Sequence, residues 1–238
     1  MKRTLTILIS ALLLFILSAC EGNNSNTISV AELTDRENAI LSSSSGGSFV
    51  FDFNIDKEYE EVTVWIEKYE LGNLVENKLS ELTMQVEGDG SIILTTPKIS
   101  YSQNQPIFNS AISSKEGVST RSSFDPNSDG LDDMSSVWGP FPTETTIIEG
   151  EVVLGSICYS NDGRMNSLTA DFYQDVEGHI NELEKYDVVY LFKADFIKWE
   201  FMWILFNKRA RLSRKIHLFA LKDKVSLIKN NNKQRIRT

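Results

Sequence analysis

The sequence predicts a mainly β protein, with one antiparallel, sandwich-like domain behind an N-terminal signal peptide. Three observations predict this fold. The chain has 238 residues, which is long enough to bury a substantial core. Apolar and polar residues alternate in several short stretches, and clusters rich in glycine, asparagine and aspartate separate them. Short alternating strands between such turns are typical of β-sandwiches.

The first 19 residues predict a lipoprotein signal peptide. Lys2 and Arg3 precede an apolar run over residues 4–17, which is shorter than the ~20 residues of a spanning helix. The sequence Leu-Ser-Ala-Cys at 17–20 resembles the lipobox of bacterial lipoproteins. The resemblance implies cleavage before Cys20, attachment of diacylglycerol to its thiol, palmitate among the fatty acids of the anchor, and a location on the extracytoplasmic face of the cell membrane. An ordinary secretory signal and an uncleaved anchor are the alternatives.

Residues 20–48 predict the lipidated cysteine followed by a flexible tether. Residues 21–27 are polar and lack apolar periodicity, as is typical of linkers. A short helix is compatible with residues 28–41, and the Ser- and Gly-rich residues 42–48 predict a linker or a wide turn.

The segment 49–196 is predicted to be an acidic, β-rich domain. Phe49, Phe51, Phe53 and Ile55 alternate with polar residues or valine, which is the period of a half-buried strand. Further strands are predicted at 62–69, 82–86, 91–96, 147–159 and 186–196, turns at 87–90 and 161–163, a helical turn at 179–185, and bulges or breaks at Gly150 and Gly155.

One loop carries a recognisable pattern of oxygen ligands. Calcium takes six to eight oxygens, which a compact loop supplies from alternating positions. The predicted ligands occupy the first, third, fifth, seventh and ninth positions of the loop, and they are Asp125, Asn127, Asp129, the carbonyl of Leu131, and Asp133. Gly130 supplies the sharp turn at the sixth position. The pattern resembles the calcium loops of EF-hand and dockerin-type modules, which makes calcium the candidate cofactor.

The same loop departs from that pattern in two places. Its twelfth position is Ser136, where those families have a bidentate glutamate, and Pro126 is unusual at the second position. Asp-, Asn- and Ser-rich turns also arise from turn chemistry alone. A solvated turn without metal is therefore the alternative.

Charge and composition exclude several classes of function. Residues 1–196 hold 12 Lys and Arg against 31 Asp and Glu, a net charge of −19, which argues against nucleic acid as a partner. The histidines, His179 and His217, lie near no Ser or Cys signature. Cys158 lies in an apolar run and is predicted to be a buried, small hydrophobic residue. The sequence therefore predicts a protein that is not an enzyme.

Residues 197–238 differ in kind from the rest of the chain. They hold 12 Lys and Arg against 2 Asp and Glu, a net charge of +10. One interpretation is an interfacial segment, in which Trp199 and Trp203 with a basic flank meet anionic lipid or wall polymer. The other is an extension foreign to the domain, and the abrupt change of charge favours it.

From the lipobox to about residue 196, the layout resembles a set of membrane lipoproteins of low-GC Gram-positive bacteria. The resemblance is carried by the Ser-rich linker, by Trp-Ile-Glu-Lys-Tyr at 65–69 and by Tyr-Asp-Val-Val-Tyr at 186–190. It implies lipidation and a foreign tail, and no activity.

Two functional hypotheses remain. The first is a lipid-anchored surface module without catalytic activity, which binds a cell-wall polymer or another envelope protein or has a structural role. The alternative is a calcium-assisted protein that binds carbohydrate or cell-wall polymer, or an enzyme acting on such polymers.

Overall fold

The computed structural model describes residues 26–98, 105–128, 130–141, 145–147, 150–163 and 166–198. The described strands are β1 (Thr27–Val30), β2 (Ser45–Asn54), β3 (Tyr59–Glu70), β4 (Asn73–Gln85), β5 (Asp89–Pro97), β6 (Ile107–Ser114), β7 (Gly117–Phe124), β8 (Ser135–Pro140), β9 (Thr145–Thr146), β10 (Glu151–Ser160) and β11 (Val188–Lys198). The α-helices are α1 (Asp35–Ser44), α2 (Ala170–Gln174) and α3 (Val176–His179), and 3₁₀ helices span Leu131–Asp133 and Ile180–Lys185.

These strands form two antiparallel sheets. The six-stranded sheet has the order β7-β6-β5-β2-β1-β9, and the five-stranded sheet has the order β4-β3-β11-β10-β8. The prediction of a mainly β, sandwich-like domain is therefore confirmed.

Aromatic rings on the facing sides of the two sheets build the core. The ring centroids of Phe49 on β2 and Phe192 on β11 are 5.5 Å apart, and those of Phe53 and Phe196 are also 5.5 Å apart. Because successive side chains of a strand point to opposite faces, the alternating phenylalanines of β2 all reach the same interior. This packing explains why the period-two pattern predicted the strand.

The outer faces of the two sheets differ. The segment that contains α2, α3 and the second 3₁₀ helix packs on the outside of the five-stranded sheet, where Phe172 and Leu183 are fully buried. The hydroxyl of Tyr173 shares a 2.9 Å hydrogen bond with the hydroxyl of Ser156 on β10, which fixes α2 to the sheet. No described residue on the outer face of the six-stranded sheet is buried in this way.

The flexible tether predicted over residues 20–48 needs correction from Thr27 onward. Strand β1 pairs with both β2 and β9, and it places Ile28 in the core at 2% exposure. Thr34 and Glu37 form a capping box at the start of α1, a local signal that the prediction overlooked. Strand β2 then begins at Ser45, so the domain boundary lies earlier than the predicted residue 49. Residues 1–25, including Cys20, lie outside the described residues.

The predicted strands from 49 to 96 and from 147 to 196 are confirmed, with changed ends. Strand β4 begins at Asn73, well before the predicted residue 82, and the register of β10 shifts between Val153 and Gly155, as the glycine indicated. The hairpin of β6 and β7 was missed, because β7 is an edge strand of mostly small polar side chains without apolar alternation. Of the tail at 197–238, only Ile197 and Lys198 are described.

Candidate functional site

The predicted calcium loop begins directly after β7 and is closed by its own turn chemistry. Asp125 is 4% exposed, and its Oδ1 accepts a 2.9 Å hydrogen bond from the N–H of Asn127. Its carbonyl accepts a 2.8 Å bond from the hydroxyl of Ser128. These contacts form an Asx-type turn, which holds the second carboxylate oxygen of Asp125 towards the sandwich interior.

A lysine from β3 supplies the cation of this loop. The Nζ of Lys68 lies 2.9 Å from Oδ2 of Asp125 and 2.8 Å from Oε1 of Glu70, and it donates a 2.5 Å hydrogen bond to the carbonyl of Asn127. The Lys68 side chain is 3% exposed. Three oxygens therefore converge on an ammonium group that belongs to the chain itself.

Tyr190 of β11 completes the contacts of the Asp125 carboxylate. Its hydroxyl donates a 2.7 Å hydrogen bond to Oδ2, the same oxygen that Lys68 contacts. Burial raises the pKa of the Tyr190 hydroxyl, and the adjacent Asp125 carboxylate raises it further. The tyrosine therefore remains a neutral donor.

The ionisation of the pair follows from these contacts. Burial opposes the charge of Asp125, but hydrogen bonds from Lys68, the Asn127 N–H and Tyr190 outweigh it and lower the pKa of the carboxyl. Burial likewise opposes the charge of Lys68, but Glu70 and Asp125 outweigh it and raise the pKa of the ammonium. Both groups are charged at neutral pH, so they form a buried ion pair.

Of the other predicted ligands, the structure describes Leu131 and Asp133. The Leu131 side chain is buried, and its carbonyl accepts the N–H of Met134 at 3.1 Å. Asp133 is exposed on the 3₁₀ helix, and Asp129 lies outside the described residues. Among the residues that the structure describes, no group of three His, Cys, Asp or Glu side chains is arranged for a metal ion. The calcium site stays a prediction, and the contacts of Lys68 argue against it.

A second buried carboxylate lies on the outer face of the five-stranded sheet. Glu67 is 7% exposed; its Oε2 accepts a 2.8 Å bond from the Tyr69 hydroxyl, and its Oε1 lies 3.0 Å from Lys193 Nζ. Glu151 is a second partner of Lys193 at 2.5 Å. Burial opposes the charge of Lys193, but the hydrogen bonds and charges of the two glutamates outweigh it, so the pKa of the ammonium is raised. Glu67 thus repeats the arrangement of Asp125, with one lysine and one tyrosine.

The outer face of the six-stranded sheet carries a shallow polar depression of about 460 Å³. It is lined by Thr27, Ser29, Asp52, Phe53, Asn54, Asp89, Gly90, Ser91, Ser113 and Ser114. The hydroxyl of Ser91 donates a 2.7 Å hydrogen bond to Asp52, and Asn54 donates to Asp89. Cross-strand pairs therefore fix the polar side chains in rows across the sheet.

A deeper cavity of about 420 Å³ lies at one end of the sandwich, beside the start of β10 and the corner between α2 and α3. Its floor includes Ile28 and Phe196, and Glu151, Asp175 and Glu177 contribute acidic groups to its lining. The cavity combines apolar and anionic surface.

The sandwich and its two buried carboxylates, Asp125 and Glu67, lie inside the part of the chain that a protein-family model matches. The family model of the YgaN domain matches residues 27–196. The chain belongs to the YgaN-domain family. The matched region begins where β1 begins and ends two residues before the end of β11, so the YgaN domain and the sandwich coincide. No curated protein and no solved structure matches the chain.

The cysteine of the YgaN domain is not poised for chemistry. Cys158 is 1% exposed on β10, and burial raises the pKa of its thiol to about 12. Since the thiolate is the nucleophile, the thiol is unreactive at neutral pH, in agreement with its prediction as a buried residue. Within the described part of the chain, no helix is long and apolar enough to cross a membrane.

Sequence reasoning missed the lysines of both YgaN-domain clusters, although a signal was present. Lys68 has the same parity as Val62, Val64 and Ile66, so the period of two places its side chain on the face of β3 that turns to the sandwich interior. A buried lysine requires a carboxylate partner. That partner, Asp125, lies 57 residues along the chain. Only the tertiary fold brings it to Lys68, so the sequence alone does not identify it.

Proposed function

We propose that this protein is a lipid-anchored binding module on the extracytoplasmic face of the cell membrane, which holds its partner without catalysing a reaction on it. The anchor is supported by the Leu-Ser-Ala-Cys sequence at 17–20, with Cys20 as the attachment point. The resemblance to lipoproteins of Gram-positive bacteria supports the same location. The YgaN domain begins at Thr27, so the sandwich is held close to the lipid.

The observation that carries the binding role is the outer face of the six-stranded sheet. The opposite sheet is covered by α2, α3 and the adjoining 3₁₀ helix, whereas this face carries exposed and half-buried polar side chains. Asp52, Asn54, Asp89 and Ser91 are held by cross-strand hydrogen bonds on a rigid sheet. A preorganised polar surface loses little entropy when it binds a polar partner.

The state of the buried carboxylates supports a module without catalysis. Asp125 and Glu67 are each bound by one lysine and one tyrosine. A general base must be free to accept a proton from its substrate, and these carboxylates are already engaged. Their contacts instead serve to satisfy charges inside the fold.

A second candidate is a module for carbohydrate or cell-wall polymer, and the polar depression favours it. Sugar hydroxyls both donate and accept hydrogen bonds, and the aspartate, asparagine and serine side chains of the depression offer both functions. Another envelope protein is the remaining type of partner. Calcium assistance is not part of this proposal, because Lys68 already neutralises Asp125.

The anchor is tested by replacing the two cysteines separately in cells that export the protein. With Cys20→Ser, we expect loss of the fatty-acid mass and release of the protein from the membrane fraction. The control, Cys158→Ser, changes a buried thiol of the sandwich and should remain lipidated. Membrane retention and an unchanged lipid mass in Cys20→Ser would refute the anchor.

The binding face is tested by cosedimentation with purified cell walls. The double variant Asp52→Arg, Ser91→Arg places two long, charged side chains on the proposed face, and we expect it to lose binding at least tenfold. Glu76→Arg, an exposed position on β4 of the other sheet, is the matched control and should bind like the wild type. Equal binding of all three proteins would exclude this face as the polymer site.

A further inference from the structure

Among the described strands, four lie at sheet edges, and three of these carry features that hinder pairing with another chain. Strand β4 has three register shifts and the charged side chains of Glu76, Lys78 and Glu81. Strand β9 has two residues, and the six-residue β8 ends at Pro140. Charges, bulges, proline and short length all protect an edge from strand addition. Strand β7 has less of this protection, because its eight residues pair with β6 without a register shift and include no proline.

One hydrogen bond shows which backbone groups of β7 face away from β6. The N–H of Asp125 donates to the carbonyl of Pro106 at 3.2 Å, so these two residues form a hydrogen-bonded pair of the ladder. Such pairs alternate along an antiparallel ladder. The N–H and C=O groups of Val118, Thr120 and Ser122 therefore point away from β6. Strand β4 of the other sheet lies near β7, but no backbone hydrogen bond joins the described residues of these two strands.

The inner side of this edge carries a charge and hydroxyl groups without partners. Arg121 pairs in register with Ser110, whose side chain lies in the sandwich interior at 2% exposure, so the Arg121 side chain leaves β7 on the inner side. Arg121 is exposed and forms no ion pair with the described residues. The hydroxyls of Ser110 and Ser123 also have no hydrogen-bond partner in the described part of the chain. Buried hydroxyls are normally hydrogen-bonded, so this side offers polar groups to a ligand.

Arg121 restricts which strand can pair with β7. An inward-pointing charge protects an edge, because a strand without a counter-charge would bury the guanidinium unpaired. A strand with a carboxylate opposite Arg121 forms a charge-assisted hydrogen bond there instead. Pairing of β7 with β7 of a second copy does not supply this carboxylate, because β7 has no acidic residue. The net charge of −19 over residues 1–196 also repels a second copy.

Two apolar side chains of β7 define a further feature of the partner. Val118 and Phe124 are 67% and 55% exposed. Each lies three residues from Arg121, so both side chains point to the outer face of the sheet, opposite to Arg121. A strand that pairs with β7 places residues beside them at the third position before and after its carboxylate. Apolar side chains at these two positions cover the exposed apolar surface.

We propose that β7 is a docking edge for an extended segment of a partner protein, with a carboxylate opposite Arg121 and apolar side chains three positions before and after it. The segment adds a strand to the six-stranded sheet beyond β7, by backbone hydrogen bonds to Val118, Thr120 and Ser122. This edge is a different surface from the polar depression, and strand addition requires neither the lipid anchor nor binding of a polymer.

A capped peptide, Val-Ser-Thr-Glu-Thr-Ser-Val, tests the docking edge. It supplies the carboxylate and both apolar side chains, and it reads the same in both directions. The peptide is titrated into the isotope-labelled chain from residue 20 with Cys20→Ser, which keeps the whole sandwich. We expect the amide NMR signals of β7 to shift, and the hydrogen exchange of the outward N–H groups of Thr120 and Ser122 to slow in proportion to the bound fraction. A peptide with lysine in place of the glutamate should bind about tenfold more weakly.

Two variants test the backbone and the charge of the edge separately. Thr120→Pro removes an outward N–H, which an edge strand tolerates, so we expect the fold to persist and the binding of the glutamate peptide to be lost. Arg121→Glu should prefer the lysine peptide to the glutamate peptide, a reversal that a misfolded protein cannot show. Lys115→Glu makes the same change of charge at an exposed position in the loop between β6 and β7, and this control should keep the preference of the wild type.

Several outcomes would overturn the docking edge. They are no shift of the β7 signals at millimolar peptide, equal binding of the glutamate and lysine peptides, and unchanged binding to folded Thr120→Pro. Shifts confined to the polar depression would place the peptide on the outer face instead. A dimer of the peptide-free protein in light scattering, abolished by Thr120→Pro, would show that β7 pairs with a second copy and not with a partner protein.

Discussion

The ammonium of Lys68 lies 2.9 Å from Oδ2 of Asp125, inside a loop whose sequence resembles a calcium site. The ammonium also reaches the carbonyl of Asn127 and the carboxylate of Glu70. Carboxylate and carbonyl oxygens are hard ligands that bind calcium or an ammonium alike. A covalently attached cation is always present at this position, so the loop needs no ion from solution to neutralise Asp125.

Replacing Lys68 should therefore destabilise the domain strongly. In Lys68→Met, the buried Asp125 carboxylate loses its cation, and breaking a buried ion pair in this way costs about 3 kcal/mol or more. Urea unfolding of the protein measures the loss. Lys115→Met, at an exposed position, is the control and should stay within about 0.5 kcal/mol of wild type.

The variant Lys68→Met also tests whether the Lys68 ammonium takes the place of a calcium ion in this loop. We expect the melting temperature of the wild type to be unaffected by millimolar calcium, and that of Lys68→Met to rise, because Asp125, Glu70 and the Asn127 carbonyl are then free to bind the ion. A wild-type protein that calcium stabilises, with the effect lost in Asp129→Ala, would restore the calcium hypothesis.

The pair also predicts how stability depends on pH. The folded-state pKa of Asp125 is lowered from about 3.9, so its contribution is complete above about pH 5 and disappears as the pH falls through the folded pKa. The folded-state pKa of Lys68 is raised, so its contribution is complete below about pH 9 and disappears as the pH rises through that pKa.

Unfolding in urea at a series of pH values measures this profile. We expect a plateau between about pH 5 and pH 9, with a decline on the acid side that is shallower in Asp125→Asn. An acid decline of unchanged steepness in that variant would assign the loss to other carboxylates.

The sequence predicted the fold better than it predicted the site, for a physical reason. The phenylalanines of β2 occur at every second position, and this local alternation, which a single sequence displays, predicts the face of the strand that is buried. Two of the three partners of Lys68, Asp125 and Asn127, come from a loop that begins 57 residues along the chain, and nothing local pairs that loop with β3. Strand β7 was missed because it is an edge strand of small polar residues, whose pairing with β6 depends on backbone hydrogen bonds. Strand β1 was missed because four residues display too little periodicity.

Cys158 should be inert in the folded protein. Its burial and its pKa of about 12 leave almost no accessible thiolate at pH 8. We expect no reaction with a disulfide reagent over an hour at pH 8, and one thiol per chain in 6 M guanidinium when Cys20 is absent. Rapid modification of the native protein would show that β10 is more open than its contacts indicate.

Gly90 lies on β5 where the ring of Phe53 packs closely against the strand, and it also lines the polar depression. A Cβ at this position would overlap the ring of Phe53 and the carbonyl of Ser113, and the carbonyl belongs to the backbone and cannot move aside. We expect Gly90→Ala to lower the free energy of unfolding by about 1–3 kcal/mol, the usual cost of overpacking. Ser113→Ala removes only a hydroxyl from the outer face and should remain within about 0.5 kcal/mol of wild type. If both variants unfold like the wild type, β5 can shift away from β6, and the polar rows across the sheet are not rigid enough to form the preorganised surface that binding requires.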